Sequence, residues 1–208
     1  MANSLKNIVE EAWLAGRAID LREIHFGPSL PGWEDDRFFD RPNPYYFFLA
    51  GLVRTQNCTC ILEIGTHFGG SGLSMLKGVA DQGNAKVVSI DITDLNPALH
   101  ATPGFTKLTG DANSEAMIRN VLDRFSGQVI DLMFIDSNHS FMPTTLSLGV
   151  YGTLLRPRFI VLDDISLRDG MRTLWSRLRS TYEDAVNCID IVPEIRQEIC
   201  GFGLLRLR

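Results

Sequence analysis

Much of what would narrow the function of this sequence at a glance is missing from it. Cysteine is scarce, with four in 208 residues, and none has zinc-ligand spacing, since Cys58 and Cys60 lack a second pair. A zinc-stapled fold is therefore excluded, and reduced thiols in a cytoplasmic protein are the expectation. Positive charge is not in excess: 20 Lys and Arg stand against 25 Asp and Glu, a net charge of −5. A protein that grips nucleic acid through its phosphates needs a dense basic face, so nucleic acid is not an expected partner. The longest apolar stretch, around Tyr45 to Val53, falls far short of the ~20 residues that cross a bilayer. The first residues show no basic head leading into an apolar core, so neither a membrane partner nor a secretory leader is expected. Repeats and low-complexity runs are absent too.

What is present is a regular alternation. Residues 4–22 carry Leu5, Ile8, Val9, Ala12 and Trp13 at helical spacing. An irregular segment rich in proline, glycine and aromatics follows, including Trp33, Phe38, Phe39, Tyr45 and Tyr46, and "YYFFLAGLVRTQ" resumes as a helix. From residue 60, apolar runs alternate with helical segments: "CILEI", "KVVSID", "GFTKLTGD", "IDLMFID" and "FIVLDD" as strands, with helices after each or most of them. Strands that are apolar throughout fit a parallel sheet covered on both faces. "NCIDIV" and "GFGLLRLR" close the chain as strands with no helix between them, which suits an antiparallel edge pair. The expected fold is α/β: a Rossmann-like, doubly wound, mostly parallel sheet with an antiparallel C-terminal edge pair and an N-terminal helical cap. Residues 1–208 form one domain in this reading, with 1–55 as the cap and 56–208 as the core.

The stretch "ILEIGTHFGGSG" sits where such a fold binds ligands, beyond the carboxyl end of a strand. Two phosphate loops fail against it. The P-loop would need a lysine where Ser71 stands, and the dinucleotide fingerprint would need a glycine two residues after Gly65, where His67 stands. A tight turn without any ligand has the same composition. Further along, Asp91 ends the next strand about twenty residues on, where a carboxylate can hold two ribose hydroxyls, or merely cap a turn. Asp136 ends the fourth strand, and Asp163 and Asp164 end the fifth. Neighbouring parallel strands lie ~4.8 Å apart, which gathers these carboxylates around one point. Hard oxygen donors so close together suit Mg²⁺ or another divalent cation. Adjacent residues of a regular strand point to opposite faces, so one of the Asp163–Asp164 pair caps a turn if the strand stays regular.

The pattern Glu63-x-Gly65-x-x-x-Gly69 resembles the first motif of the class I S-adenosylmethionine-dependent methyltransferases. With Gly70-Ser71, Asp91, Asp136-x-x-His139 and Asp163-Asp164, the likeness extends to their metal-dependent small-molecule O-methyltransferases, over about residues 60–165. The branch with a Gly-Gly-Ser loop, which includes sugar O-methyltransferases and cephalosporin-hydroxylase-like proteins, is the most similar. That resemblance implies S-adenosyl-L-methionine held by Glu63, Gly65, Thr66, Gly69, Gly70, Ser71, Asp91, Ile92, Asp111, Ala112 and Asp136. It implies a divalent metal on Asp136, Asp163 and Asp164, with His139 as general base and Asp136 beside it in catalysis. The implied partner is a small molecule with a hydroxyl group, and the size of the chain permits a homodimer. The sequence departs from the family before the fifth strand, where "LLRPRFIVLDD" replaces a Pro-Gly-Gly turn. Two other readings are a binding module that holds the cofactor without catalysis and a nicotinamide oxidoreductase on the same fold.

Overall fold

In the computed structural model, residues 3–22, 24 and 43–207 are described. Trp33, Phe38, Phe39 and His25 lie outside that set. Helix α1 (Leu5–Arg17) starts where Ser4 accepts a hydrogen bond from the Asn7 amide, and buries Leu5, Ile8, Val9 and Ala12 along one stripe. It stops before the expected residue 22, because Asp20 turns its carboxylate onto the Arg22 amide at 3.0 Å and competes with helical bonding. Helix α2 (Pro44–Gln56) has proline in its first turn and crosses α1 at close quarters. A Cβ on Gly16 would fall 1.8 Å from the Phe47 carbonyl oxygen, so only glycine permits this approach.

Among the described residues seven strands form one sheet: β1 (Cys60–Ile64), β2 (Lys86–Asp91), β3 (Phe105–Thr109), β4 (Leu132–Ile135), β5 (Phe159–Asp163), β6 (Ala185–Asn187) and β7 (Phe202–Arg206). Their order is β3-β2-β1-β4-β5-β7-β6. The first five are parallel, and β7 runs antiparallel to both β5 and β6. Helices α3 (Gly70–Gly78), α4 (Glu115–Phe125), α5 (Phe141–Leu155) and α6 (Asp169–Thr181) follow strands in the crossover pattern. The strand expected over "NCIDIV" is displaced: β6 ends at Asn187, and Cys188–Asp190 is a 3-10 turn. Asn187 is the reason, since its amide group donates to Asp190 at 3.1 Å and accepts from the Phe202 amide at 3.0 Å.

One face of the sheet packs against α1 and α2 and carries a register row running Lys107, Ser89, Glu63, Phe134, Val161 and Leu204. The opposite face is apolar, with Leu62, Val88, Met133, Ile160 and Leu205 in its core. Chain order reverses between β1 and β4, which opens a crevice at their carboxyl ends. There the strands nearly touch: the Asp136 amide donates to the Ile64 carbonyl at 2.8 Å, and the Gly65 amide donates to the Ile90 carbonyl at 2.8 Å. Among the described residues, no helix is long and apolar enough to cross a membrane.

Candidate active site

A cavity of about 890 Å³ opens at this crevice. Its β1–β3 side is built on backbone conformation. Gly65 has φ +106°, and a Cβ there would fall 1.8 Å from the Asp136 carbonyl oxygen. Gly69, at φ +91°, turns the chain into α3, which therefore begins at Gly70 rather than at the expected Gly72. Between them His67 takes φ +48°, and its amide donates to Asp91 at 2.7 Å, fixing the loop over the tip of β2. The other Asp91 oxygen accepts from the Thr93 amide at 3.2 Å. Asp111 takes the Asn113 amide at 2.9 Å, and the Ala112 carbonyl accepts from the Tyr151 hydroxyl at 2.5 Å.

Gly65, Thr66, Gly70, Ser71, Asp91, Ile92, Asp111 and Ala112 all line the cavity, as the sequence-based site would place them. Glu63 and Gly69 do not. Glu63, expected among the residues that hold the cofactor, lies beneath the lining rather than in it. It is fully buried beneath the loop, and its two oxygens accept from the Ser71 and Ser89 hydroxyls. Burial pushes its carboxyl up to about 7, against the pull of those two hydroxyls. Thr66 closes the cluster through a 2.6 Å contact with Ser89. Beside them Lys107 is buried, and its amine makes no hydrogen bond among the described residues. Burial lowers its pKa, and Asp91 and Glu63 oppose that.

The β4–β5 side is built on charge. Asp136, Asp163, Asp164 and His139 line the same cavity. Asp163 is the last residue of β5, and Asp164 takes φ +55°. That left-handed turn resolves the alternation problem: it brings Asp164 back to the side that Asp163 faces. Arg196 then binds both, donating to the two oxygens of Asp163 at 3.0 and 2.9 Å and to Asp164 Oδ1 at 3.2 Å. His139 Nε2 stands 3.4 Å from Asp164 Oδ2 and 3.7 Å from Asp136 Oδ1. The Tyr45 hydroxyl donates to Asp136 at 3.2 Å. Burial pushes Asp136 up to about 6, with the Arg196 charge opposing it. The missing Pro-Gly-Gly turn is replaced by Arg156, which takes φ +46° at the end of α5.

Two fits follow. For a cofactor, the cavity offers the carboxylates of Asp91 and Asp111 beyond β2 and β3 and a glycine turn for close approach, while its one Lys or Arg among the described lining residues is Arg196, already engaged by Asp163. That suits a nucleoside cofactor without phosphates. For a divalent metal the fit is poor as the side chains stand. Both Asp163 oxygens face the Arg196 fork, and among the described residues no group of three or more His, Cys, Asp or Glu is arranged to hold a metal ion.

Sequence reasoning missed Arg196 as a partner of this site, and also Ser89 and Lys107. The latter two had a signal, each a polar residue inside an otherwise apolar strand. Arg196 had none, lying 33 residues beyond Asp163.

Comparisons with known proteins point one way. The family described as "Methyltransferase domain" matches residues 62–165. A protein of Mycolicibacterium paratuberculosis named "Putative O-methyltransferase" is 32% identical over 171 residues, which span 78% of this chain and 67% of that protein. Among solved structures, an O-methyltransferase from Bacillus cereus in complex with SAH superposes with a TM-score of 0.58 at 17% identity, over 97% of this chain and 91% of the other. The MycE methyltransferase of the mycinamycin biosynthetic pathway, in complex with Mg, SAH and mycinamycin VI, gives 0.51 at 17% identity over 74% of this chain and 46% of MycE.

Proposed function

The chain belongs to the class I S-adenosylmethionine-dependent O-methyltransferases, and we propose that it methylates a hydroxyl group of a small molecule with His139 as general base. One observation carries this reading: Asp91 and the Asp136–His139 pair open into a single cavity. The cofactor supplies a methyl group on a sulfonium, whose displacement leaves a neutral thioether. Asp91 would hold the ribose hydroxyls, Asp111 would lie near the adenine, and Gly65, Thr66, Gly70 and Ser71 would pass beneath the methionine part. Ile92 and Ala112 would flank the base.

On the other side His139 would take the acceptor's proton as its oxygen attacks the methyl carbon in line. Asp136 and Asp164 bracket His139 Nε2, so a proton there sits between two carboxylates. Tyr45 and Tyr46 line the cavity and would exclude water from the acceptor. The four free cysteines suit a reducing, cytoplasmic setting.

A second reading adds a divalent cation on Asp136, Asp163 and Asp164. It is favoured by their all-oxygen chemistry and by the Mg in the MycE complex. Such a cation would have to displace Arg196.

Isothermal calorimetry with S-adenosylhomocysteine and with NAD tests the main reading. Micromolar binding of the first and none of the second is expected; the reverse would end the proposal. Turnover with a panel of hydroxyl acceptors and labelled S-adenosylmethionine then separates an enzyme from a binding module.

A further inference from the structure

Arg196 lies on the connection between β6 and β7, residues 188–201. Because β7 begins at Phe202, opposite Asp163, this connection passes over the carboxyl end of β5. The guanidinium reaches the site from there. Its Nε and Nη2 groups grip Asp163 bidentately, and Nη2 also reaches Asp164. Its carbon sits 5.0 Å from the centre of the Tyr45 ring, so the group is held between an aromatic face and two carboxylates. Arg196 lines the cavity, and its Nη1 group makes no hydrogen bond among the described residues.

Asp163 and Asp164 are only 1% and 5% exposed. Two carboxylates this buried, beside a third, Asp136, stay ionised only with a counter-charge. Either an arginine or a divalent cation can supply that charge. An Mg²⁺-type ion needs carboxylate oxygens converging at ~2.0–2.1 Å in near-octahedral array. Here the guanidinium fork faces both Asp163 oxygens and one of Asp164, so the cation's place is taken.

We propose that Arg196 is the built-in cation of the acceptor site, standing where a divalent metal would stand, and that its Nη1 arm donates to the acceptor oxygen. The inference rests on the methyl-transfer reading above. A guanidinium stays charged at every working pH, and its N–H groups are directional. Arg196 thus holds the acceptor oxygen and steadies negative charge on it, without itself giving up a proton. The acceptor's proton passes to His139, the O–C bond forms as the C–S bond breaks, and the electron pair of that bond stays on sulfur.

The test is electron paramagnetic resonance of Mn²⁺ titrated into the full chain with S-adenosylhomocysteine present, for wild type, Arg196→Ala and Arg196→Lys. Wild type should leave the Mn²⁺ signal free up to about 1 mM, the weak end of protein oxygen sites. Arg196→Ala should gain a bound Mn²⁺ at least about tenfold tighter, because the carboxylates are then without a counter-charge. Arg196→Lys, which keeps the charge but cannot span both carboxylates, should gain a weaker site; it decides the matter should the alanine variant fail to fold. Mn²⁺ bound by wild type and lost in Asp163→Asn would overturn the proposal, as would variants that gain no site. Failure of wild type to bind S-adenosylhomocysteine would sink the methyl-transfer reading instead, and is read separately by calorimetry.

Discussion

The β1–β3 half of the sheet and the β4–β5 half face the same difficulty, polar groups on buried strands, and meet it differently. In the first half the polar residues are neighbours across the strands, Glu63, Ser89 and Lys107 in one row, and hydroxyl groups separate the charges. In the second half the same row is Phe134 and Val161, and Asp136, Asp163 and Asp164 are crowded at the strand tips beside one arginine. The first half depends on glycine turns that fix the backbone. The second depends on ion pairing between distant segments. A site split this way should fail in different modes when each half is altered.

Gly65→Ala should be the most damaging change. It forces a side chain into φ +106° and against the Asp136 carbonyl, so a loss of about 3 kcal/mol or more is expected in urea unfolding, with cofactor affinity lost as well. Gly83→Ala, also at positive φ but with open space around it, should cost only about 1 kcal/mol. Equal losses at the two glycines would show that the turn over Asp136 is not special.

His139→Ala should lower turnover about 10²–10⁴-fold and leave S-adenosylhomocysteine affinity within about twofold, since its contacts are on the β4–β5 side. Asp91→Ala should do the opposite, weakening that affinity about 100-fold, the worth of two hydrogen bonds to a charged acceptor. Calorimetry beside a methyl-transfer assay checks both. If either variant lost both properties equally, the division into halves would be wrong.

The smallest effect expected is on pH dependence. Burial raises the Glu63 carboxyl from its ordinary 4.5 to about 7, so the folded chain holds that proton more tightly than the unfolded chain. The contribution to stability is complete below about pH 4.5 and is lost as the pH rises through about 7. Glu63→Gln should flatten the fall in Tm across that window. Asp136→Asn should act with the same sign over a lower window, because Asp136 is raised only to about 6. A Tm that rises over this range in wild type, and still does so in Glu63→Gln, would contradict the assignment.

The two halves also differ in how far the sequence disclosed them. The glycine turn, Asp91 and Asp111 follow one another at strand ends along the chain, and the family resemblance was enough to join them into one site. The five parallel strands β1 to β5 followed from the strand–helix alternation, while their order in the sheet came only with the structure. The surroundings of Glu63 were not legible, because spacing shows that a carboxylate ends a strand but not that Ser89, 26 residues away, donates to it in the interior. The left-handed turn at Asp164 was invisible, since a regular strand would have aimed it away from Asp163. Tyr45 and Asp136 are 91 residues apart, and no periodicity links them. Long-range pairings of this kind depend on side-chain packing, which a single sequence does not display.

The connection carrying Arg196 joins the edge strand β6 to its neighbour β7 and contributes nothing to the order of the five parallel ones. It is not a loose excursion, since Cys188, Ile189, Val192 and Ile195 are buried in the core that α1 and α2 share. If Arg196 serves the acceptor as proposed, a lineage could explore new substrates by changing that one position while those apolar anchors keep the connection seated.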